Sequence, residues 1–414
     1  MGNKSCINTT LGLFVFFLFS LVLTSCDDEV DYPDEPRHTD KTILMFFPWS
    51  GDDINDSTDI YYYFQTNISD FETAIENNHG LNNNRLIVFI SNSESKAEMF
   101  EITYDNGSCR RKTLKNYSFS THEYTTSEGI SAIINDVIAE APAASYAMTI
   151  GCHGMGWLPA GTSVKTRTPV AANCDGNRPL TRYFGHGSNS RYQTDITTLA
   201  EGIKDVGVKM EYILFDDCYM ANIETAYDLK DVTNYLIAST CEIMIDGMPY
   251  DEIGAELLND DYLGIVNDFY DFYSNYHTPD GKYAPYGTIS VTDCREIETT
   301  TQLMRQINTA YPEGVETADG LQPLDGLQNT IFFDLGDYVE KLCKDGVLLA
   351  GFRQQLDRLV PYKRNTEYYY SIYKWDNDGI TKINSFSGLT ISDPSRNSTV
   401  KGLIEQTNWY AATH

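Results

Sequence analysis

Basic residues are scarce in this chain. Lysine and arginine number 30 against 59 aspartates and glutamates in 414 residues, a formal net charge of −29. Such a surface repels nucleic acid and anionic lipid and attracts basic peptides, although acidity also serves simply to keep an exported protein soluble. Metal-ligand patterns are missing as well. The sequence has no HExxH, and no CxxC or tight Cys/His cluster of the kind that holds structural zinc. It has no internal repeat, and past the first 25 residues no apolar run is long enough to span a bilayer. What is present is ample core material: 42% hydrophobic and 13% aromatic residues. The length corresponds to two or three domains unless a large α/β unit takes most of it.

The N-terminus reads as a targeting signal. Lys4 supplies positive charge, Leu11 to Leu23 form an apolar stretch, and Leu23-Thr24-Ser25-Cys26 resembles a bacterial lipobox. The expectation is a signal peptide over 1–25, lipidation of Cys26 and an acidic tether over 26–40. Asp27, Asp28, Glu29 and Asp31 resemble the tag that exports some Gram-negative lipoproteins to the outer face of the outer membrane. Two acyl signals suffice for stable anchoring. Of nine cysteines, Cys6 would leave with the signal and Cys26 would carry lipid, so seven remain. An odd number in an oxidising compartment leaves at least one free thiol, and most read as small buried hydrophobes.

Downstream, strand and helix patterns alternate. Ile43 to Phe47, Leu86 to Ile90, Tyr146 to Gly151, Tyr212 to Phe215 and Tyr235 to Ser239 read as strands. Helical spacing marks Ile60 to Ile75, Ile130 to Ile138 and Ile196 to Val206, the last closed by Gly207. Asn106-Gly107 predicts a tight hairpin that decorates the sheet. Glu252 to Tyr273 reads as helical, and Gly287 to Thr292 as a further strand. From residue 296 the pattern is less regular, with helical stretches at 300–307, 334–342 and 348–359, and a strand at 389–391. The predicted fold is a mainly parallel sheet covered on both faces over 41–295, with a C-terminal α+β subdomain over 296–414.

Two strand ends carry the chemistry. Tyr212-Ile213-Leu214-Phe215 stops at Asp216-Asp217-Cys218, and a helical pattern starting at Met220 follows. At a strand-to-helix junction the helix dipole favours a thiolate. Another apolar run ends in Gly151-Cys152-His153-Gly154, and right-handed crossovers deliver parallel strand ends to one edge. His153 and Cys218 are thus the candidate base and nucleophile of covalent acyl transfer. Cys152 neighbours His153 but alternates to the opposite side. His186, in a polar loop, is a weaker rival base.

His-Gly after one strand and Asp-x-Cys after the next resemble the clostripain-like cysteine peptidases, relatives of the caspases, gingipains and legumains. The resemblance extends over most of the chain after Lys41. It implies a caspase-like fold and peptide-bond hydrolysis through a thioester, with Gly154 and Cys218 N–H groups as the oxyanion hole. It further implies that Asp216, helped by Asp246 of the Asp246-Gly247 turn, selects arginine or lysine. A carboxylate's two oxygens suit the guanidinium fork, which favours arginine. Met248, where an aromatic is common in the family, and the apolar Cys241 to Met244 stretch depart from its usual form. The long loop 158–192, with Lys165, Arg167, Arg178 and Arg182, corresponds to one that such enzymes often cut themselves, here expected after Lys165 or Arg167. Some members need calcium, so calcium stays a candidate cofactor; Asp376-Asn377-Asp378-Gly379 lacks the distant acid of an EF-hand and reads as a turn. The expected partners are peptides with basic residues, with membrane contact only through the lipid and no nucleic acid. A monomer is expected, in two chains if cut. The competing readings are a surface adhesion lipoprotein without turnover, using aromatics such as Tyr368 to Tyr373, and a metal-dependent hydrolase using His153, Asp216 and Cys218.

Overall fold

In the computed structural model the described residues are 39–48, 60–93, 95–119, 123–162, 193–374 and 376–414. Their centre is a nine-stranded sheet. Five strands run parallel in the order β2 (Arg85–Ser93), β1 (Lys41–Phe47), β5 (Ser145–Gly151), β6 (Met210–Asp216) and β7 (Thr233–Ala238). Antiparallel strands extend both sides: β3 (Lys96–Asp105) and β4 (Ser108–Ser118) beyond β2, and β8 (Thr288–Asp293) beyond β7.

Alternation along the strands builds two cores. Ile43, Met45 and Phe47 point to one face of β1, Leu44 and Phe46 to the other. On β6, Tyr212 and Leu214 divide from Ile213 and Phe215 in the same way. Each such side chain contributes roughly 2 kcal/mol by leaving water. Helices α1 (Ile60–Asn77), α5 (Tyr250–Asn259) and α6 (Tyr262–Ser274) cover the first face. Helices α2 (Ser127–Glu140), α3 (Ile196–Val206) and α4 (Ile223–Leu229) cover the second, joined by α7 (Ile297–Ala310), α8 (Leu335–Leu342) and α9 (Gly346–Leu359). The caspase-like sheet sandwiched by helices is therefore present.

Several details differ from the sequence reading. The Asn106-Gly107 hairpin forms, with φ of 52° and 87°, but its arms are full strands of the main sheet. The 252–273 stretch is two helices, because Asp260 takes the left-handed conformation (φ 56°) and Asp261 caps α6 through Gly264 N at 2.9 Å. The C-terminal stretch also feeds the central sheet. After a two-residue strand β9 (Phe333–Asp334), the strand β10 (Tyr362–Asn365) pairs antiparallel with β8 as the sheet's edge. The described residues from 39 onward cluster as one compact unit. The remaining strands are small additions: β11 (Tyr368–Tyr370) pairs with β12 (Ile380–Lys382), and β13 (Thr390–Ile391) with β9. Asn377, Asp378 and Gly379 all have positive φ, a tight turn between β11 and β12.

Candidate active site

Sheet register brings the two motifs together. Gly151 at the end of β5 is paired with Asp216 at the end of β6. Two residues further on, the chains carry His153 and Cys218. Their backbones are in intimate contact: a Cβ placed on Gly154 would lie 2.8 Å from Cys218 N, 2.7 Å from Asp217 Cβ and closer still to the Cys218 carbonyl oxygen. Glycine is required at 154 because the Cys218 loop presses on it.

Cys218 is fully buried. Its sulfur accepts from Ile243 N–H at 3.3 Å, and the thiol lies 3.9 Å from the Ile243 carbonyl oxygen that it can donate to. The loop after β7 thus closes over the Cys218 sulfur. The expected helix dipole is displaced: α4 begins at Ile223, not Met220, with Asn222 as its cap. The intervening turn puts Tyr219 at φ 62°, a conformation that costs a non-glycine residue roughly 1–2 kcal/mol. Surroundings hold it there. Tyr219 N donates to the Cys241 carbonyl at 3.0 Å and its ring stacks on Phe332. Asn222 Nδ2 donates to the Tyr219 carbonyl at 2.8 Å, while Asn222 Oδ1 accepts from Thr225 N at 2.7 Å.

His153 is half-buried just beyond β5. Asp217 ties its segment to the cysteine's: Oδ1 accepts from Cys152 N at 2.6 Å, and the Cys152 thiol reaches Oδ2 at 3.6 Å. Cys152 points into the core, on the side of α2 and α3. The fold gives Asp217 a structural place, the joint between the ends of β5 and β6.

One candidate specificity acid contacts the loop after β7 and the other belongs to it. Asp216 is fully buried and its Oδ1 accepts from Met248 N at 2.8 Å. Asp246, two residues before Met248, is partly exposed. Its Oδ2 accepts from Tyr276 Oη, and its carbonyl from Asn67 Nδ2 at 2.8 Å. Tyr273 Oη fixes the Gly247 carbonyl at 2.5 Å. Asp246 also lines a cavity of about 560 Å³ with Glu252, Asp268, Asp271, Tyr276 and His277 among its walls. Burial, together with Asp251 and Asp246, pushes Asp70 of α1 up to about 6. The charges of Asp251 and Asp246, which add to this rise, would also attract a cation.

Asp70, Tyr219, Asn222 and Glu242 carry no motif that marks them. Asn222 alone had a local signal, an asparagine immediately before an apolar helical run. Cys26, Lys165, Arg167, Arg178, Arg182 and His186 lie outside the described residues. Among the described residues no group of three or more His, Cys, Asp or Glu side chains is arranged to hold a metal ion, and no helix is long and apolar enough to cross a membrane.

A mainly parallel sheet between helices, with His-Gly and Asp-x-Cys at adjoining strand ends, defines the class: a cysteine peptidase of caspase-like build. The clostripain family profile matches residues 52–345, and the chain belongs to that family. It is 49% identical to a secreted C11 cysteine protease from Bacteroides thetaiotaomicron, "iotapain", over 92% of this chain and 100% of that one, with a TM-score of 0.79. A clostripain from Bacteroides thetaiotaomicron in complex with the peptide inhibitor BTN-VLTK-AOMK is 55% identical, over 56% of this chain and 99% of its own, with a TM-score of 0.52. An inactive zymogen C11 protease from Parabacteroides distasonis, 24% identical over 92% of this chain and 99% of its own (TM-score 0.73), shares the fold. No curated protein matches the chain.

Proposed function

We propose that this cysteine peptidase cuts peptide bonds after basic residues, arginine before lysine, with Cys218 and His153 as its catalytic dyad. The observation that carries the dyad is the register of Gly151 with Asp216 and the contact of Gly154 with the Cys218 backbone. Cys218 attacks the scissile carbonyl carbon while His153 takes the thiol proton. The N–H groups of Gly154 and Cys218 receive the oxyanion. His153 then protonates the leaving amine, and water, deprotonated by the same imidazole, hydrolyses the thioester. Asp216 and Asp246 attract the cationic side chain. In support, the 55% identical clostripain was captured with a peptide inhibitor whose peptide ends in lysine.

Self-cleavage after Lys165 or Arg167 completes the reading. Cys218 and Asp216 are both enclosed in the uncut chain, so substrate entry requires the loop over them to move. The 55% identical clostripain chain covers 56% of this one, the share that would follow a cut within 163–192. The enzyme would act from the outer membrane surface, tethered through lipid on Cys26.

The test is hydrolysis of fluorogenic peptides ending in arginine, lysine, aspartate or alanine by wild type and Cys218→Ala. Turnover of the arginine and lysine peptides that vanishes in the variant is expected. Cleavage after another residue would keep the nucleophile and discard the acidic pocket. No Cys218-dependent turnover, even after limited proteolysis of 158–192 and with calcium added, would overturn the reading in favour of a binding protein.

A further inference from the structure

Glu242 joins several of the contacts that hold the Cys218–Tyr219 turn. It is buried, 3% exposed. Its Oε1 accepts from Tyr219 Oη at 2.5 Å and from Ser371 Oγ. Ile372 N–H bridges both carboxylate oxygens at 3.2 Å each. Its chain neighbours act on the same turn, Cys241 through its carbonyl to Tyr219 N, and Ile243 through its N–H to the Cys218 sulfur. The phenol that Glu242 engages belongs to the residue directly after the nucleophile, the one held at φ 62°.

We propose that Glu242 is a positioning residue for Cys218. Its carboxylate anchors the Tyr219 hydroxyl to the C-terminal 371–372 segment, holds the turn left-handed and thereby aims the sulfur. A carboxylate suits this post because Tyr219 Oη, Ser371 Oγ and Ile372 N, which converge on it, are all donors. A glutamine would present an NH₂ to at least one of those donors. Burial, with Glu242 beside it, keeps the Tyr219 phenol a neutral donor, its pKa well above the ordinary value. No bond to substrate is involved, so Glu242 acts through Tyr219.

The reading rests on Cys218 as nucleophile, and its test separates the two. Glu242→Gln, Tyr219→Phe and the double variant are compared for kcat and KM on the best basic peptide. In parallel, the pH dependence of alkylation by iodoacetamide is followed by mass spectrometry on the Cys218 peptide. A misaimed sulfur should lower kcat about 10- to 100-fold in each single variant with KM little changed. The double variant should lose no more than the worse single one, because both break one link. Removing a nearby negative charge favours thiolate. Glu242→Gln should therefore alkylate at lower pH than wild type while turning over more slowly, and Tyr219→Phe should show the slow turnover without that shift.

A folded Glu242→Gln with wild-type kcat overturns the proposal, as do additive losses. Should Glu242→Gln fail to fold, Tyr219→Phe decides: unchanged kcat overturns it. If wild type turns over no basic peptide, the specificity reading fails by itself. The alkylation comparison then decides, and an unshifted profile in Glu242→Gln overturns the proposal.

Discussion

An alanine at Gly154 would drive its Cβ into the Cys218 backbone and Asp217 Cβ, neither of which can swing aside. Overpacking of this kind costs about 1–3 kcal/mol, and the displacement falls on Cys218, the proposed nucleophile. Gly154→Ala should lose at least about 100-fold in kcat with a measurable fall in Tm. Gly207→Ala is the matched control: Gly207 closes α3 at φ 78° with nothing within 4 Å of a new Cβ. It should cost about 1 kcal/mol in stability through backbone strain and leave kcat unchanged. Equal kinetic losses in the two variants would show that strain, and not the contact with Cys218, is what matters.

Helix α4, which follows the Cys218–Tyr219 turn, is joined to the end of β13 through an acid pair. Glu224 Oε1 accepts from Ser392 N at 2.8 Å, while Glu224 Oε2 and both oxygens of Asp393 are buried with no hydrogen-bond donor among the described residues. His414 Nε2 stands 4.0 Å from Asp393, with its own pKa lowered by burial. Burial, then the charge of Asp393, pushes Glu224 up to about 8, and burial pushes Asp393 up to about 7. Both folded values lie above the unfolded ones, so protonation favours the fold. The stabilisation is complete below about pH 4 and drains away as pH rises through about 7 to 8. Tm measured at pH 5.5 and pH 8.5 should therefore fall with pH for wild type, and Glu224→Gln should flatten the fall. A Glu224→Gln protein with the same slope as wild type would show that these carboxyls are not its source.

Across the whole molecule, both edges of the nine-stranded sheet carry positive charge in a chain that has little of it. Strand β4 bears Arg110, Arg111, Lys112 and Lys115, and β10 bears Lys363 and Arg364. Arg111 is held by Glu72 and Lys115 by Asp136. Charge on an edge opposes pairing with the edge of another copy, because two such strands would place like charges together. The double variant Arg110→Val, Lys112→Val should shift the protein toward dimers or larger species in sedimentation velocity. A sedimentation profile identical to wild type would mean that strand twist or the −29 net charge already prevents pairing.

Local pattern determined a great deal here. Continuous apolar runs placed β1, β2, β5, β6 and β7, and helical spacing with Gly207 placed α3. His-Gly and Asp-x-Cys at the ends of two such runs pointed to the strand ends that meet. These signals are short-range, written in periodicity that backbone geometry must obey. Tertiary structure alone decided the rest. Pairing β8 antiparallel to β7, and adding β10 from beyond residue 360 to the same sheet, depends on contacts between distant segments that no local window contains. The same holds at the site. Tyr219, Glu242 and Ser371 span 152 residues and become one hydrogen-bonded group only when the loop after β7 and the C-terminal segment pack together. The enclosure of Cys218 beneath Ile243 arises in that packing, because burial is a property of the assembled neighbours and not of the residue.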